Sequence, residues 1–268
     1  MTELTKRIFF AVPAAALFIG LAWMGGIYFN AVMGLLAAGT IWEVSRLLER
    51  SGRPVFLPGS LILAGILWFS EDLNEFFLMG FGVAVIVLTL AALIRKNRGW
   101  SQKWLSTLFC AIYTTLGYYL AAGVRDLGTG LDGFWLILAL FLMIWGNDIF
   151  AYFGGKSFGK RKMAPGISPN KTWEGFGFGA LGAVAGALTV WLIADSFPES
   201  ITLAQLIPGA FIVSITGPLG DLLESRLKRI ADVKDSSSLL PGHGGLFDRF
   251  DAMIFTAPFL YFYFSIFV

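Results

Sequence analysis

The sequence predicts an all-α, polytopic integral membrane protein of about nine transmembrane helices, and three observations lead there. Of its 268 residues 56% are hydrophobic and only 14% charged, with a mean hydropathy of +0.72; an average soluble domain carries about 25% charged residues. Apolar runs fall near 8–24, 27–45, 57–70, 76–94, 104–122, 133–150, 173–194, 204–220 and 250–268, most of them close to the roughly 20 residues that a helix needs to cross hydrocarbon. Threaded alternately through a bilayer, these runs leave every basic residue except Arg125 on one side.

Each run has its own flanks. The first follows Lys6-Arg7 and reads as a retained span, not a cleaved signal peptide, because the second run begins almost at once. Arg46, Arg50 and Arg53 close the second run. The third, at 57–70, is the shortest and ends in Glu71-Asp72 and Glu75. The fourth leads to Arg95, Lys96, Arg98 and Lys103. The fifth holds Cys110, the only cysteine, so no intramolecular disulfide is available. Lys156, Lys160, Arg161, Lys162 and Lys171 lie between the sixth and seventh runs, and Asp195 and Glu199 follow the seventh. Arg226, Lys228, Arg229, Lys234 and Arg249 separate the last two. Basic residues mark the cytoplasmic side, so the N-terminus is expected inside and the C-terminus outside. Continuous apolar runs of this length exclude a membrane barrel, whose strands alternate.

The chain divides into two regions. Residues 1–132 hold about five spans, and nothing in them singles out a residue for chemistry. Residues 133–268 hold about four spans and two cytoplasmic polar segments, 151–172 and 221–249, which alone have room for a site. Net charge is only +2, but its one-sided placement favours anionic lipid head groups; no nucleic-acid partner is expected.

The densest charge lies from Asp221 to Asp251, between two apolar runs, which places it at the water boundary. On a helix Asp221, Ser225, Lys228 and Arg229 share a face, as do Asp248 and Asp251 on the next helix. Carboxylates converging there suit magnesium, which takes oxygen ligands and substrate phosphates; ion pairs with Arg226, Arg229 or Arg249 are the plainer reading. Lys228, Arg229, Lys234 and Arg249 are candidate phosphate partners. Pro241-Gly242-His243-Gly244-Gly245 is a turn whose backbone can approach a ligand closely, with His243 more apt to shape the loop than to transfer protons. Asp148, near the end of the sixth run, is a functional candidate because it is ionisable within a span. It is either a third metal carboxylate or a partner for Lys171. In Ser168-Pro169-Asn170-Lys171-Thr172, Thr172 is placed to cap the seventh helix. Gly154-Gly155 with Phe158-Gly159-Lys160 is neither a Walker A loop nor a dinucleotide fingerprint. Gly175, Gly177, Gly179, Gly182 and Gly186 give the seventh span small faces for helix packing.

These two blocks, in this order, resemble the signature segments of the CDP-diacylglycerol synthases, or phosphatidate cytidylyltransferases. The resemblance covers roughly the C-terminal half. It implies an integral-membrane nucleotidyltransferase that makes CDP-diacylglycerol and pyrophosphate from CTP and phosphatidic acid. It further implies a multi-pass protein of the cytoplasmic (inner) membrane with its site facing the cytoplasm, and a homodimer. On the matching positions it implies Mg2+, a second cation being left open, at Asp221 and Asp248 with Asp148 or Asp251. Lys228, Arg229, Lys234 and Lys171 would then clamp phosphates, and Ser168, Ser225, Asp235, His243, Gly244, Gly245 and Arg249 would line the substrate. Two rival classes are a CTP-dependent lipid kinase of the polyprenol type and a transporter of an anionic metabolite. The transporter reading is weakened by the lack of a strong internal repeat and by charge clustered at span ends. A CDP-alcohol phosphotransferase is disfavoured because its Asp-Gly-x-x-Ala-Arg element is absent; Asp132-Gly133 is followed by Phe-Trp-Leu-Ile.

Overall fold

Each of the nine apolar runs forms a helix in the computed structural model, which describes residues 3–94, 98–194, 197–198, 201–240, 242 and 244–268. The helices are α1 (Glu3–Met24), α2 (Gly26–Arg50), α3 (Leu57–Trp68), α4 (Glu75–Ile94), α5 (Arg98–Asp126), α6 (Gly130–Phe158), α7 (Trp173–Ile193), α8 (Leu203–Ile230) and α9 (Phe247–Ser265). Among the described residues six of them, α2 and α4 to α8, are long and apolar enough to cross a membrane by themselves. With only 12 residues, α3 reaches about 18 Å at 1.5 Å per residue, short of a hydrocarbon core about 30 Å thick. The protein is thus an all-α polytopic membrane protein with very little sheet. A two-stranded antiparallel hairpin, β1 (Lys162–Ala164) with β2 (Ser168–Thr172), joins α6 to α7.

Side-chain contacts sort the helix ends onto two sides. On one side the Phe56 amide, entering α3, donates to Thr107 Oγ1 near the start of α5, and Glu43 of α2 meets the first residues of α9. On the other, Tyr119 of α5 donates to Glu71 beyond α3, and Tyr263 of α9 donates to the Gln205 carbonyl of α8. Successive helices therefore run in alternating directions, α3 included. Arg125, the lone basic residue of the second side, is buried at 5% exposure. Its guanidinium donates to the carbonyls of Ala22, at 2.7 Å, and Trp23, which the end of α1 leaves without helical partners. Gly25 (φ 65°) makes room: a Cβ there would lie 2.5 Å from Arg125 Nη2.

Two close helix contacts hold the polar segments in register. Gly146 of α6 and Gly182 and Gly186 of α7 face each other's backbone so closely that a methyl group on any of them would collide with it; small residues permit this kind of approach in membranes. Gly177 faces open space, so the packing face of α7 is carried by Gly175, Gly179, Gly182 and Gly186. Between α8 and α9, Thr216 and Thr256 form a buried hydroxyl pair at 3.0 Å. A Cβ on Gly220 would stand 2.6 Å from the Asp251 carbonyl, so the absence of a side chain there brings Asp251 onto α8. The main apolar core draws on both halves of the chain, from Phe29 and Ile41 to Leu260 and Phe264, and a small second cluster gathers Leu63, Leu108 and Ala111.

Candidate active site

The basic end of the bundle gathers the polar residues predicted from sequence. Helix α8 continues to Ile230 and carries Asp221, Glu224, Ser225, Lys228 and Arg229 beyond Pro218. Helix α9 begins at Phe247 and brings Asp248, Arg249 and Asp251 beside them. Helix α6 runs on to Phe158, so part of the segment expected as a loop is helical, and Asp148 lies well inside it. Thr172 caps α7 as expected, accepting from the Gly175 amide at 3.1 Å, which sets β2 and Lys171 at the mouth of the site.

Asp221, Glu224 and Asp251 each place a carboxylate oxygen within 4.8 Å of the others. Three carboxylates this close repel one another unless a cation or protons intervene, and an all-oxygen donor set of this kind suits a hard divalent cation. Asp148 interacts electrostatically with both Asp221 and Asp251. Lys171 Nζ lies 2.7 Å from Asp221 Oδ2 and also donates to the Pro218 carbonyl. It thus forms its direct ion pair with Asp221, while Asp148 also feels its charge. Ser225 donates to the other Asp221 oxygen at 3.2 Å, the contact that helical spacing predicts.

A cavity of about 620 Å³ opens beside this cluster, walled by Asn147, Asp148, Tyr152, Lys162, Ser168, Asn170, Lys171 and Asp221 among others. Asn147 is 1% exposed, and neither end of its amide has a hydrogen-bond partner among the described residues. A second cavity of about 260 Å³ shares Asp148 and Asp221 with the first and is lined also by Glu224, Ser225, Lys228, Asp235, Asp248, Arg249 and Asp251. The two cavities meet at the carboxylates. Such an arrangement can hold an extended polyanion along a row of lysines, with a cation at its middle.

Known proteins point the same way. Residues 5–267 match the sequence model of a family described as "Cytidylyltransferase family". The chain is 34% identical over 278 residues to a protein of Bacillus subtilis (strain 168) named phosphatidate cytidylyltransferase, covering 100% of both chains. It is 36% identical over 270 residues to a protein of that name from Brucella abortus biovar 1 (strain 9-941), covering 100% of this chain and 95% of the other. A third so named, from Staphylococcus haemolyticus (strain JCSC1435), is 33% identical over 95% of this chain and 96% of its own. The chain belongs to the cytidylyltransferase family.

In this chain Asp248 stands differently from the three converging carboxylates. Its Oδ1 pairs with Lys228 Nζ at 2.8 Å, and its Oδ2 accepts from the Gly245 amide at 2.7 Å and from the amide and hydroxyl of Ser236 at 2.9 and 3.0 Å. The side chain is only 7% exposed. Lys228 bridges Asp248 to Glu224. Gly244 (φ 80°) and Gly245 let the backbone just before α9 close on Asp248; a Cβ on Gly244 would lie 2.6 Å from Asp248 Oδ2. Arg229 makes long hydrogen bonds to the carbonyls of Ile167, in the hairpin, and Val233. Lys234 is exposed and lines neither cavity. His243 lies outside the described residues.

Two members of this constellation go beyond the residues singled out in the sequence. Glu224 follows Asp221 by three residues and shares its helix face, so a signal for it is present. Glu43 sits on α2, fully buried, in the half where the sequence marks no residue for chemistry. It accepts from the hydroxyls of Ser236 and Ser237 at 3.0 and 2.7 Å and from the amides of Leu246 and Phe247 at 2.9 and 2.7 Å. The rule that flags Asp148, an ionisable group inside an apolar run, applies to Glu43 as well.

Proposed function

We propose that this protein transfers the cytidylyl group of CTP to phosphatidic acid, forming CDP-diacylglycerol and pyrophosphate at the cytoplasmic face of a bacterial inner membrane. The observation that carries this is the convergence of Asp221, Glu224 and Asp251 within 4.8 Å, flanked by Lys171 and Lys228, in a chain matching phosphatidate cytidylyltransferases over its full length. The cytoplasmic orientation is supported by the partition of the basic residues, since that face carries all of them but Arg125.

Magnesium is the cation we assign to Asp221, Glu224 and Asp251. When bound, it supplies positive charge against the triphosphate and the departing pyrophosphate. In the chemical step an ionised phosphate oxygen of phosphatidic acid forms a bond to the α-phosphorus of CTP. The bond from that phosphorus to the α–β bridging oxygen breaks, and pyrophosphate leaves with the electron pair. The attacking phosphate is already ionised at neutral pH, so no side chain has to remove a proton from it. The task of the protein is to position and to balance charge. Lys171, its side chain 22% exposed at the cavity mouth, offers a compact cation to a phosphate. Lys228, held between Glu224 and Asp248, keeps those carboxylates in place. Asp248 serves in this reading as the anchor of the loop and of Lys228.

The test is product formation by purified protein in detergent with phosphatidic acid, magnesium and each of the four nucleoside triphosphates, beside Asp221→Asn. CDP-diacylglycerol and pyrophosphate are expected with CTP alone and are expected to vanish in the variant. Release of CDP with a newly phosphorylated lipid would instead establish a kinase.

A further inference from the structure

We propose that Glu43 is a positioning residue: a buried carboxylate of the N-terminal half that clamps Ser236, Ser237 and the start of α9 and thereby sets the lysine and carboxylates of the active site. The proposal rests on the function proposed above and assigns it a determinant far from the signature segments. Glu43 is 0% exposed, and no Lys or Arg is paired with it among the described residues; its charge is answered by four donors. Two of these, the amides of Leu246 and Phe247, open α9, where backbone N–H groups lack helical partners and favour an anion. The residue preceding α9, Leu246, has no side chain able to cap it, so α2 supplies the cap from across the bundle.

The connection to the site is continuous. The single hydroxyl proton of Ser236 is shared between Glu43 and Asp248, each with an oxygen 3.0 Å from the serine Oγ. Asp248 pairs with Lys228, and Lys228 pairs with Glu224, one of the three converging carboxylates. Gly245 fits between them because it has no side chain: a Cβ there would lie 2.6 Å from both Glu43 oxygens. Removing the carboxylate frees two serines and two amides at once. The loop, the first turn of α9 and the Lys228 anchor then lose their common reference.

Glu43→Gln tests this, since it keeps the size but sets an amide NH2 among donors. Loop exposure is read without substrates, by maleimide labelling of Leu240→Cys; Leu240 is partly exposed and the single native cysteine, Cys110, is buried. With Glu43→Gln the labelling rate rises several-fold and kcat falls between about 10- and 100-fold, as for a misplacement near 1 Å, while KM for CTP stays within about threefold. Glu43→Asp recovers part of both. Unchanged labelling or unchanged kcat overturns the proposal. If Glu43→Gln does not fold, Ser237→Ala, which removes one of the four bonds, decides: faster labelling with lower kcat supports it, and no change in either overturns it. A wild-type chain that makes no CDP-diacylglycerol defeats the proposed reaction but leaves the labelling result decisive for the clamp.

Discussion

Both ends of the bundle carry carboxylates around a cavity, and the two ends arrange them differently. At the far end a cavity of about 380 Å³ is lined by Asn30, Glu71, Asp72, Tyr119 and Asp126, among others. There two of the acids accept single hydrogen bonds from neutral side chains: Tyr119 donates to Glu71 at 2.8 Å, and Asn30 to Asp126 at 3.2 Å. At the basic end Asp221, Glu224 and Asp251 converge within 4.8 Å and lysines stand against them. A carboxylate in a hydrogen bond to a hydroxyl is at rest. Carboxylates pressed together repel one another until a cation or protons intervene. Convergence, not acidity, separates a site from a surface.

The largest effect expected is from chelation. Removing divalent cations abolishes CDP-diacylglycerol formation and added magnesium restores it; turnover that persists in chelator would strip the convergence of its meaning. Next, Asp251→Asn lowers kcat/KM by about 1,000-fold or more, several kcal/mol of charge stabilisation, whereas Asp126→Asn at the far end stays within about twofold. Steady-state kinetics on the two variants break the comparison if their losses are alike. Lys228→Met leaves Glu224 and Asp248 buried without their cation, which costs about 3–5 kcal/mol; the thermal midpoint in detergent falls by several degrees. Lys171→Met, whose partner Asp221 is 41% exposed, lowers activity with little change in that midpoint. The smallest effect is expected at Lys234, exposed and outside both cavities: Lys234→Ala changes kcat/KM by no more than about twofold, as for surface substitutions in general.

The parts of this architecture legible in the sequence are those governed by local rules. The bilayer demands long apolar helices, so α1 to α9 can be read as runs. Helical spacing places Ser225 against Asp221, and a Thr before an apolar run places the cap of α7. The parts that escape depend on distant pairings. Glu43 meets Leu246 across a separation of 203 residues, and no periodicity links them. Asp248 groups with Asp251 in the sequence because both lie on the first turns of α9, yet the loop that folds back through Ser236 and Gly245 claims one Asp248 oxygen and Lys228 the other. Where α6 stops is also obscure, since Gly154-Gly155 reads as a loop signal while in the fold Gly154 is close-packed against Phe178.

Arg125 bears on how the chain is made. In the orientation proposed here, it alone of the 20 basic residues has to be carried across the hydrocarbon as the polypeptide is inserted, at a cost of about 3 kcal/mol for a guanidinium at mid-membrane. Its resting place is prepared by the carbonyls of Ala22 and Trp23, at the end of α1, which leaves the ribosome well before α5. By the time α5 emerges, α1 has long been waiting, and the order of synthesis itself ensures that the travelling charge finds its dock.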